Sequence, residues 1–184
     1  MSETWKTLSR KSILQRPPWL EVFADKVELP DEKIVQEYFH VQMPQYTAVF
    51  AITKEQKVMM MRCYRHAVGD ITLTMPGGML EDGESPLAGM KREFLEETGY
   101  ESPSWTSLGA FVGNSTRGCG TYHLFFAREA YQTQDADSGD LEELELLLWD
   151  PDEVENAINQ GKAKSLGVIT MLLLGLRQLN NEPS

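Results

Sequence analysis

Glu93, Glu96 and Glu97 follow one another at spacings of three and four residues, which places their carboxylates side by side on one face of a helix. Each like-charged pair costs roughly 0.2 to 0.5 kcal/mol in an isolated helix. Two of the three also sit in the last turn before Gly99, where the helix dipole already puts partial negative charge and cations are favoured. Only Lys91 and Arg92 are at hand in the sequence to offset them. Two readings account for such a face. One is a solvated acidic surface; the other is a divalent cation that reverses the sign of the interaction. Hard cations such as Mg²⁺ take oxygen ligands and combine carboxylates with waters and substrate phosphates. Several local rules broken at one place point to a site.

The helix that must carry these residues is well marked. Ser85-Pro86 supplies an N-cap and a first-turn proline, Gly99 ends the helix after Thr98, and Leu87, Met90, Phe94 and Leu95 form a stripe that can face a sheet. Upstream, Ile71 to Met75 reads as a strand broken by Pro76-Gly77-Gly78. Before it, Thr47 to Ile52 and Val58 to Arg62 read as a central hairpin, the first strand buried on both faces. Further strands are predicted at Trp105 to Val112, Gly120 to Arg128 and Glu143 to Trp149, then helices at Pro151 to Gln160 and about Ser165 to Leu179. Strands and helices mix without strict βαβ alternation, which favours an α+β sandwich with a mixed sheet.

The N-terminal part is different in character. The opening segment through Arg16 carries no clear pattern. Trp19 to Phe23, Lys26 to Leu29 and Ile34 to Met43 read as three short antiparallel strands separated by turn residues. Such a ribbon has too little core to stand alone and must lie on the rest of the chain or on a second copy. The predicted organisation is therefore a β ribbon over residues 1–43 and a main domain over residues 44–184.

Composition narrows the partners. Among 184 residues, 28 acidic side chains against 17 basic ones leave a formal net charge of −11. That field repels nucleic-acid backbones and anionic membranes, so the expected partner is a free small molecule, with a metal or local cations if it carries phosphates. Met1 to Ser9 lacks the apolar core of a secretory signal, and Val168 to Leu176, the longest apolar stretch, is about half of a membrane span. The chain is read as cytoplasmic. Cys63 and Cys119 show no metal spacing and read as ordinary thiols.

One pattern absorbs the acidic helix. Gly78, five residues, Glu84, seven residues, then Arg92-Glu93-Phe94-Leu95-Glu96-Glu97-Thr98-Gly99-Tyr100 resembles the Nudix box with every fixed position filled. Seven fixed residues across 23 positions make the match specific. Outside the box, Leu29-Pro30-Asp31, Glu37-Tyr38, Tyr64-Arg65-His66, Met75 to Met79 and Trp149 to Glu153 are similar to the ADP-ribose pyrophosphatase branch of that family.

The resemblance implies an α/β/α Nudix sandwich behind the ribbon, and Mg²⁺-dependent hydrolysis of the pyrophosphate in a nucleoside diphosphate sugar. ADP-ribose, cleaved to AMP and ribose 5-phosphate, is the first expectation. It implies metal ligation by Glu93, Glu96, Glu97 and the Gly77 carbonyl, with Mn²⁺ as an alternative ion. Arg92 is expected to brace the loop through a carboxylate such as Glu84 rather than touch substrate. For the general base the alternatives are Glu142 and Glu143, in the acidic run from Asp135, and Glu96 within the box. Trp19 is either a core anchor of the ribbon or a stacking surface for the base; Arg65 is either a phosphate ligand or a surface ion-pair partner, with His66 beside it as packing. A homodimer is implied through the N-terminal strands. The segment Asn114-Ser115-Thr116-Arg117 departs from the branch, whose ADP-ribose-specific members carry a proline about there. Rival readings are another nucleotide sugar such as GDP-mannose, a hydrolase of damaged triphosphates, and a catalytically silent binding or regulatory module.

Overall fold

A computed structural model describes residues 4–137, 139 and 144–181 and divides the chain into two compact units. One unit is Met1–Gln45 with Phe111–Tyr122; the other is Tyr46–Ala110 with His123–Ser184.

In the first unit, β1 (Lys6–Arg16), β2 (Leu20–Glu28) and β3 (Ile34–Gln42) form an antiparallel meander. The expected antiparallel ribbon is present, with different strand bounds. The opening segment supplies a full strand, and the two short strands expected at 19–23 and 26–29 are one strand with a register shift between Asp25 and Val27. Ala24-Asp25 reads as a break because a charged residue is seldom buried in a strand. Here Arg10, opposite in register, donates from Nε and Nη2 to the two Asp25 oxygens, both at 2.9 Å, so the carboxylate is buried as half of a bidentate pair. His40 Nδ1 lies 3.5 Å from the same carboxylate, and its ring stacks on Phe23 at 5.1 Å. All three strands are thereby cross-linked through one buried group.

The unit is completed by the tip of a hairpin between β8 (Ser104–Asn114) and β9 (Gly118–Gln132). Asn114 Oδ1 accepts the amides of Thr116 and Arg117, closing the tip. Tyr38 then donates its hydroxyl to Thr116 O, Arg117 donates from Nη1 to Phe39 O at 2.8 Å, and Val41 N donates to Arg117 O at 2.7 Å. The residues that stand where the branch carries its proline thus clasp the ribbon.

The second unit is an α/β/α sandwich with a mixed sheet. Its strands are β4 (Tyr46–Thr53), β5 (Val58–Arg65), β6 (Asp70–Thr74), β7 (Tyr100–Glu101), the greater parts of β8 and β9, and β10 (Glu145–Trp149). The order is β9-β4-β5-β10, with β6 also on β5 and β7 on β9. Alternation along β4 sets the two layers. Val49 and Ala51 join Met59, Phe125, Ala127 and Ala130 against Met90 and Phe94 of α1 (Pro86–Thr98). Phe50 stacks with Phe126 at 5.7 Å and faces α3 (Leu166–Asn180), where a side chain at Gly175 would meet the Phe50 ring at 2.1 Å. A shorter helix, α2 (Pro151–Asn159), precedes α3 behind an Asp150 capping box.

The termini of α1 are as the sequence predicts, with Ser85 Oγ accepting the Ala88 amide and Gly99 in the left-handed region at φ 73°. Its buried stripe differs. Met90, Phe94 and Thr98 point inward together with Gly89, while Leu87 is exposed and Leu95 half-buried. The helix packs against the loop before it as well as the sheet, and that loop covers the Gly89 side.

Candidate active site

The site begins with the loop after β6. Pro76 to Met79 runs along the start of β4: Val49 N donates to Pro76 O at 3.0 Å, Thr47 N donates to Gly78 O at 2.9 Å, and Met79 bridges Tyr46. So close an approach requires glycine. Gly77 has φ 151°, and a Cβ there would lie 2.1 Å from the Thr47 carbonyl oxygen. On its other side the loop meets α1. The Gly77 amide donates to Glu97 Oε2 at 2.7 Å, and a Cβ on Gly78 would fall 2.4 Å from the Glu93 carboxyl carbon. Two carboxylates one helical turn apart are thus laid against the glycine pair. The resemblance named Gly77 for its carbonyl and Gly78 as the first fixed position of the box; the close approach of Glu93 to Gly78 is added by the structure.

Arg92 organises the rest. Its Nε and Nη2 each donate to Glu84 at 3.1 Å, Nη2 donates also to Met79 O at 3.2 Å, and Nη1 reaches Glu93 Oε1 at 2.9 Å and Glu96 Oε2 at 3.0 Å. Glu84, the box carboxylate named as a partner for Arg92, is the bidentate one. The hydrogen bond to Glu84 raises the Arg92 pKa, and the same bond holds the Glu84 carboxyl below the usual carboxylate range. Glu84 and Glu93 are each 15% exposed, whereas Glu96 is 44% exposed and the most open of the three Arg92 partners.

One guanidinium is therefore set against Glu84, Glu93 and Glu96, with Glu97 adding a fourth carboxylate nearby. An excess of hard oxygen donors beside a tight glycine loop suits a divalent cation of the Mg²⁺ type. Among the described residues, no three His, Cys, Asp or Glu side chains close around a common point as a full protein cage does. Mg²⁺ is ordinarily held by one or two carboxylates, waters and substrate phosphates, so the donor set fits it.

The remaining candidates are placed as follows. The loop after β9 wraps the C-terminal end of α1: Thr133 N donates to Gly99 O at 2.9 Å and Asp137 N to Glu96 O at 2.8 Å. The acidic run thus starts from the end of the glutamate helix, while Glu142 and Glu143 lie outside the described residues. Arg65 ends β5 opposite Asp70, whereas the glycine loop follows Thr74 at the other end of β6. Four strand residues, about 13 Å along the backbone, separate those ends. Trp19 is in the turn between β1 and β2 and is 64% exposed, which overturns its reading as a core anchor.

The NUDIX domain model matches residues 43–167, and the nucleoside diphosphate sugar hydrolase N-terminal domain model matches residues 5–41. The chain belongs to the Nudix hydrolase family, whose members generally use divalent metals. It is 32% identical over 124 residues to the ADP-ribose pyrophosphatase of Bacillus subtilis (strain 168), a match spanning 67% of this chain and 66% of that protein. It is 30% identical over 172 residues to the CMP-5'-(N-acetyl-N-hydroxy-3-aminopropyl)phosphonate hydrolase of Streptomyces rubellomurinus (strain ATCC 31215), covering 90% of this chain and 80% of the relative. A crystal structure described as an ADP compounds hydrolase superimposes with a TM-score of 0.83 at 16% identity, over 96% of this chain and 94% of that one, a likeness of fold.

Proposed function

We propose that this chain is a Mg²⁺-dependent pyrophosphohydrolase of nucleoside diphosphate sugars, with ADP-ribose as the preferred substrate. The observation that carries the reading is the complete box folded into one cluster, with Glu93 and Glu97 against Gly77-Gly78 and Arg92 tied to Glu84. The residues assigned to hold the ion are Glu93, Glu96, Glu97 and the Gly77 carbonyl; Mn²⁺ suits the same oxygen set. When bound, the metal supplies water activation and charge neutralisation at the scissile pyrophosphate.

The chain's own residues do the rest. Glu97 is oriented by the Gly77 amide, and Arg92, held by Glu84, keeps Glu93 and Glu96 apart from one another's charge. Water adds to one phosphorus as the bridging P–O bond breaks, giving AMP and ribose 5-phosphate, and its proton passes to a carboxylate. We assign that base to Glu142, with Glu143 and Glu96 as alternatives. If Glu142 is the base, Glu142→Gln lowers kcat with little change in KM. Trp19 offers its exposed indole to the nucleobase, and Arg65 is assigned to a phosphate.

A second reading draws on the match of the N-terminal strands to nucleoside diphosphate sugar hydrolases in general, on the phosphonate hydrolase among the relatives, and on the Asn114 to Arg117 clasp. It makes the substrate another nucleotide conjugate, such as GDP-mannose. Both readings expect a small-molecule partner in the cytoplasm, with neither nucleic acid nor membrane. Among the described residues no helix is long and apolar enough to cross a membrane. The test is kcat/KM for ADP-ribose, GDP-mannose, UDP-glucose and a nucleoside triphosphate, each with and without Mg²⁺. ADP-ribose falling tenfold or more below another compound favours the second reading, and no metal-dependent turnover of any compound points to a silent binding module. Homodimerisation through the ribbon is part of the proposal: light scattering should give about twice the 20.9 kDa chain mass, and a monomer at micromolar concentration counts against it.

A further inference from the structure

We infer that Gly118, at the tip of the β8–β9 hairpin, is a positioning residue for substrate binding, because it closes the clasp on β3 through which the Trp19 turn is anchored. This rests on the reading of Trp19 as the stacking surface for the base. Gly118 is the parallel register partner of Val41 in β3 and has φ 86°. A Cβ there would lie 2.7 Å from the Val41 carbonyl oxygen, closer than real Cβ atoms come. The obstacle is backbone on a paired strand, with no rotamer to turn away. Relief requires the two backbones to part, and the bond from Val41 N to Arg117 O, 2.7 Å long and one residue from Gly118, spans the same gap. Left-handed backbone alone does not account for the glycine. Cys119, next in the chain, keeps φ 63° while carrying a side chain.

Val41 pairs with Val22, and Gln42 with Glu21, at the start of β2. Trp19 comes three residues before Val22, about 10 Å along the chain. On its other edge the start of β2 pairs with Leu14, Gln15 and Arg16 of β1, all exposed, and Trp19 N donates to Arg16 O at 2.8 Å. β1 thus brings no buried side chain to fix the turn, and the hold comes from the β3 side. β3 in turn is gripped at Tyr38, Phe39 and Val41 by Thr116 and Arg117. The path from Gly118 through Val41 and Val22 to Trp19 consists of backbone pairing and chain continuity throughout.

Gly118→Ala should part the clasp and let the Trp19 turn move. In protein labelled with 5-fluorotryptophan, the Trp19 fluorine signal, assigned by its loss in Trp19→Phe, should shift or broaden. The signal of Trp105, which meets Phe94 of α1 edge-on at 5.6 Å, should stay in place. KM for the best substrate should rise about threefold while kcat stays within about twofold of wild type. A purely local role for Gly118 lowers the urea midpoint and moves neither the Trp19 signal nor KM. Gly118→Asn separates conformation from space: asparagine accepts left-handed backbone but keeps the Cβ, so it should act like Gly118→Ala. A wild-type Trp19 signal in Gly118→Asn overturns the inference. Because Gly118→Ala could fail to fold, Arg117→Ala is measured beside it; it removes the bond to Phe39 O, leaves the Gly118 approach intact, and should move the Trp19 signal in the same direction by less. An unmoved Trp19 signal in the folded variant overturns the inference, as does an unchanged KM where Trp19→Ala raises it. If Trp19→Ala itself leaves KM unchanged, the base reading fails while the fluorine signal still decides whether Gly118 places the turn.

Discussion

Glu97 Oε2 accepts the Gly77 amide at 2.7 Å, joining the last turn of α1 to a loop 20 residues earlier in the chain. The loop is fixed from behind by β4, whose Thr47 and Val49 amides take the Gly78 and Pro76 carbonyls. A carboxylate at a helix C-terminus is electrostatically misplaced. Here a backbone donor partly offsets that penalty, and the same donor fixes where the charge points.

Glu97→Gln separates the two roles. The glutamine carbonyl still accepts the Gly77 amide, so the fold and the urea midpoint should be retained. The charge offered to the metal is lost. Turnover of the best substrate should fall at least about a hundredfold, roughly 2.7 kcal/mol of transition-state stabilisation. Wild-type turnover in excess EDTA should vanish likewise. A fully active Glu97→Gln enzyme removes the metal assignment.

Two arginine-paired carboxylates, Asp25 buried and Glu84 partly so, set the acid limb of stability. Hydrogen bonds from Arg10 to Asp25 and from Arg92 to Glu84 hold both carboxyls below their usual range. The unfolded chain therefore takes up these protons first as pH falls. The stabilisation is complete above the unfolded values of about 3.9 for Asp and 4.3 for Glu, and is lost as pH drops through the lower folded values. Urea midpoints followed from neutral pH downward should decline below about pH 4, and Glu84→Gln, which cannot titrate, should decline less steeply. A decline of wild-type steepness in Glu84→Gln would remove Glu84 from this account.

How legible each part was in the sequence follows from where its signal lay. The acidic helix could be read because capping, dipole and like-charge rules conflict at one place, and because the loop before it carries two adjacent glycines. β1 could not, since every residue from Lys6 to Arg16 is exposed and no face alternates. β2 looked like two strands because the partner of Asp25 is a cross-strand arginine fifteen residues away, which periodicity does not reveal. The rotation of α1 was hidden for a related reason: Gly89 is neither polar nor apolar in a pattern, yet the loop it contacts decides which side of the helix is covered.

Arg10→Ala tests the cross-strand pin directly. It leaves the Asp25 carboxylate buried beside His40, and loss of a buried acceptor's partner costs about 1 to 3 kcal/mol. Arg10 is itself half exposed, so water can reach part of the vacated space and the lower end is expected. Adding Asp25→Asn should recover part of the loss by removing the charge. If the single variant unfolds at the wild-type urea concentration, the pair does not hold the ribbon together.

Trp19 lies in the turn between β1 and β2, where its amide donates to Arg16 O at 2.8 Å and its indole is 64% exposed. Removing the ring takes nothing from a core, so Trp19→Ala should change stability by no more than about 0.5 kcal/mol. Whatever the variant does to catalysis then reports on substrate. Stacking on a nucleobase contributes about 1 to 3 kcal/mol per base. It does so equally in the bound substrate and the transition state, because the base is remote from the phosphorus that reacts. Trp19→Ala should therefore raise KM by about fivefold or more while kcat stays near wild type. Trp19→Phe, which keeps a flat ring, should recover most of the affinity. An unchanged KM in Trp19→Ala, or a fall in kcat at constant KM, excludes the indole from base binding and leaves recognition of the nucleoside to other residues.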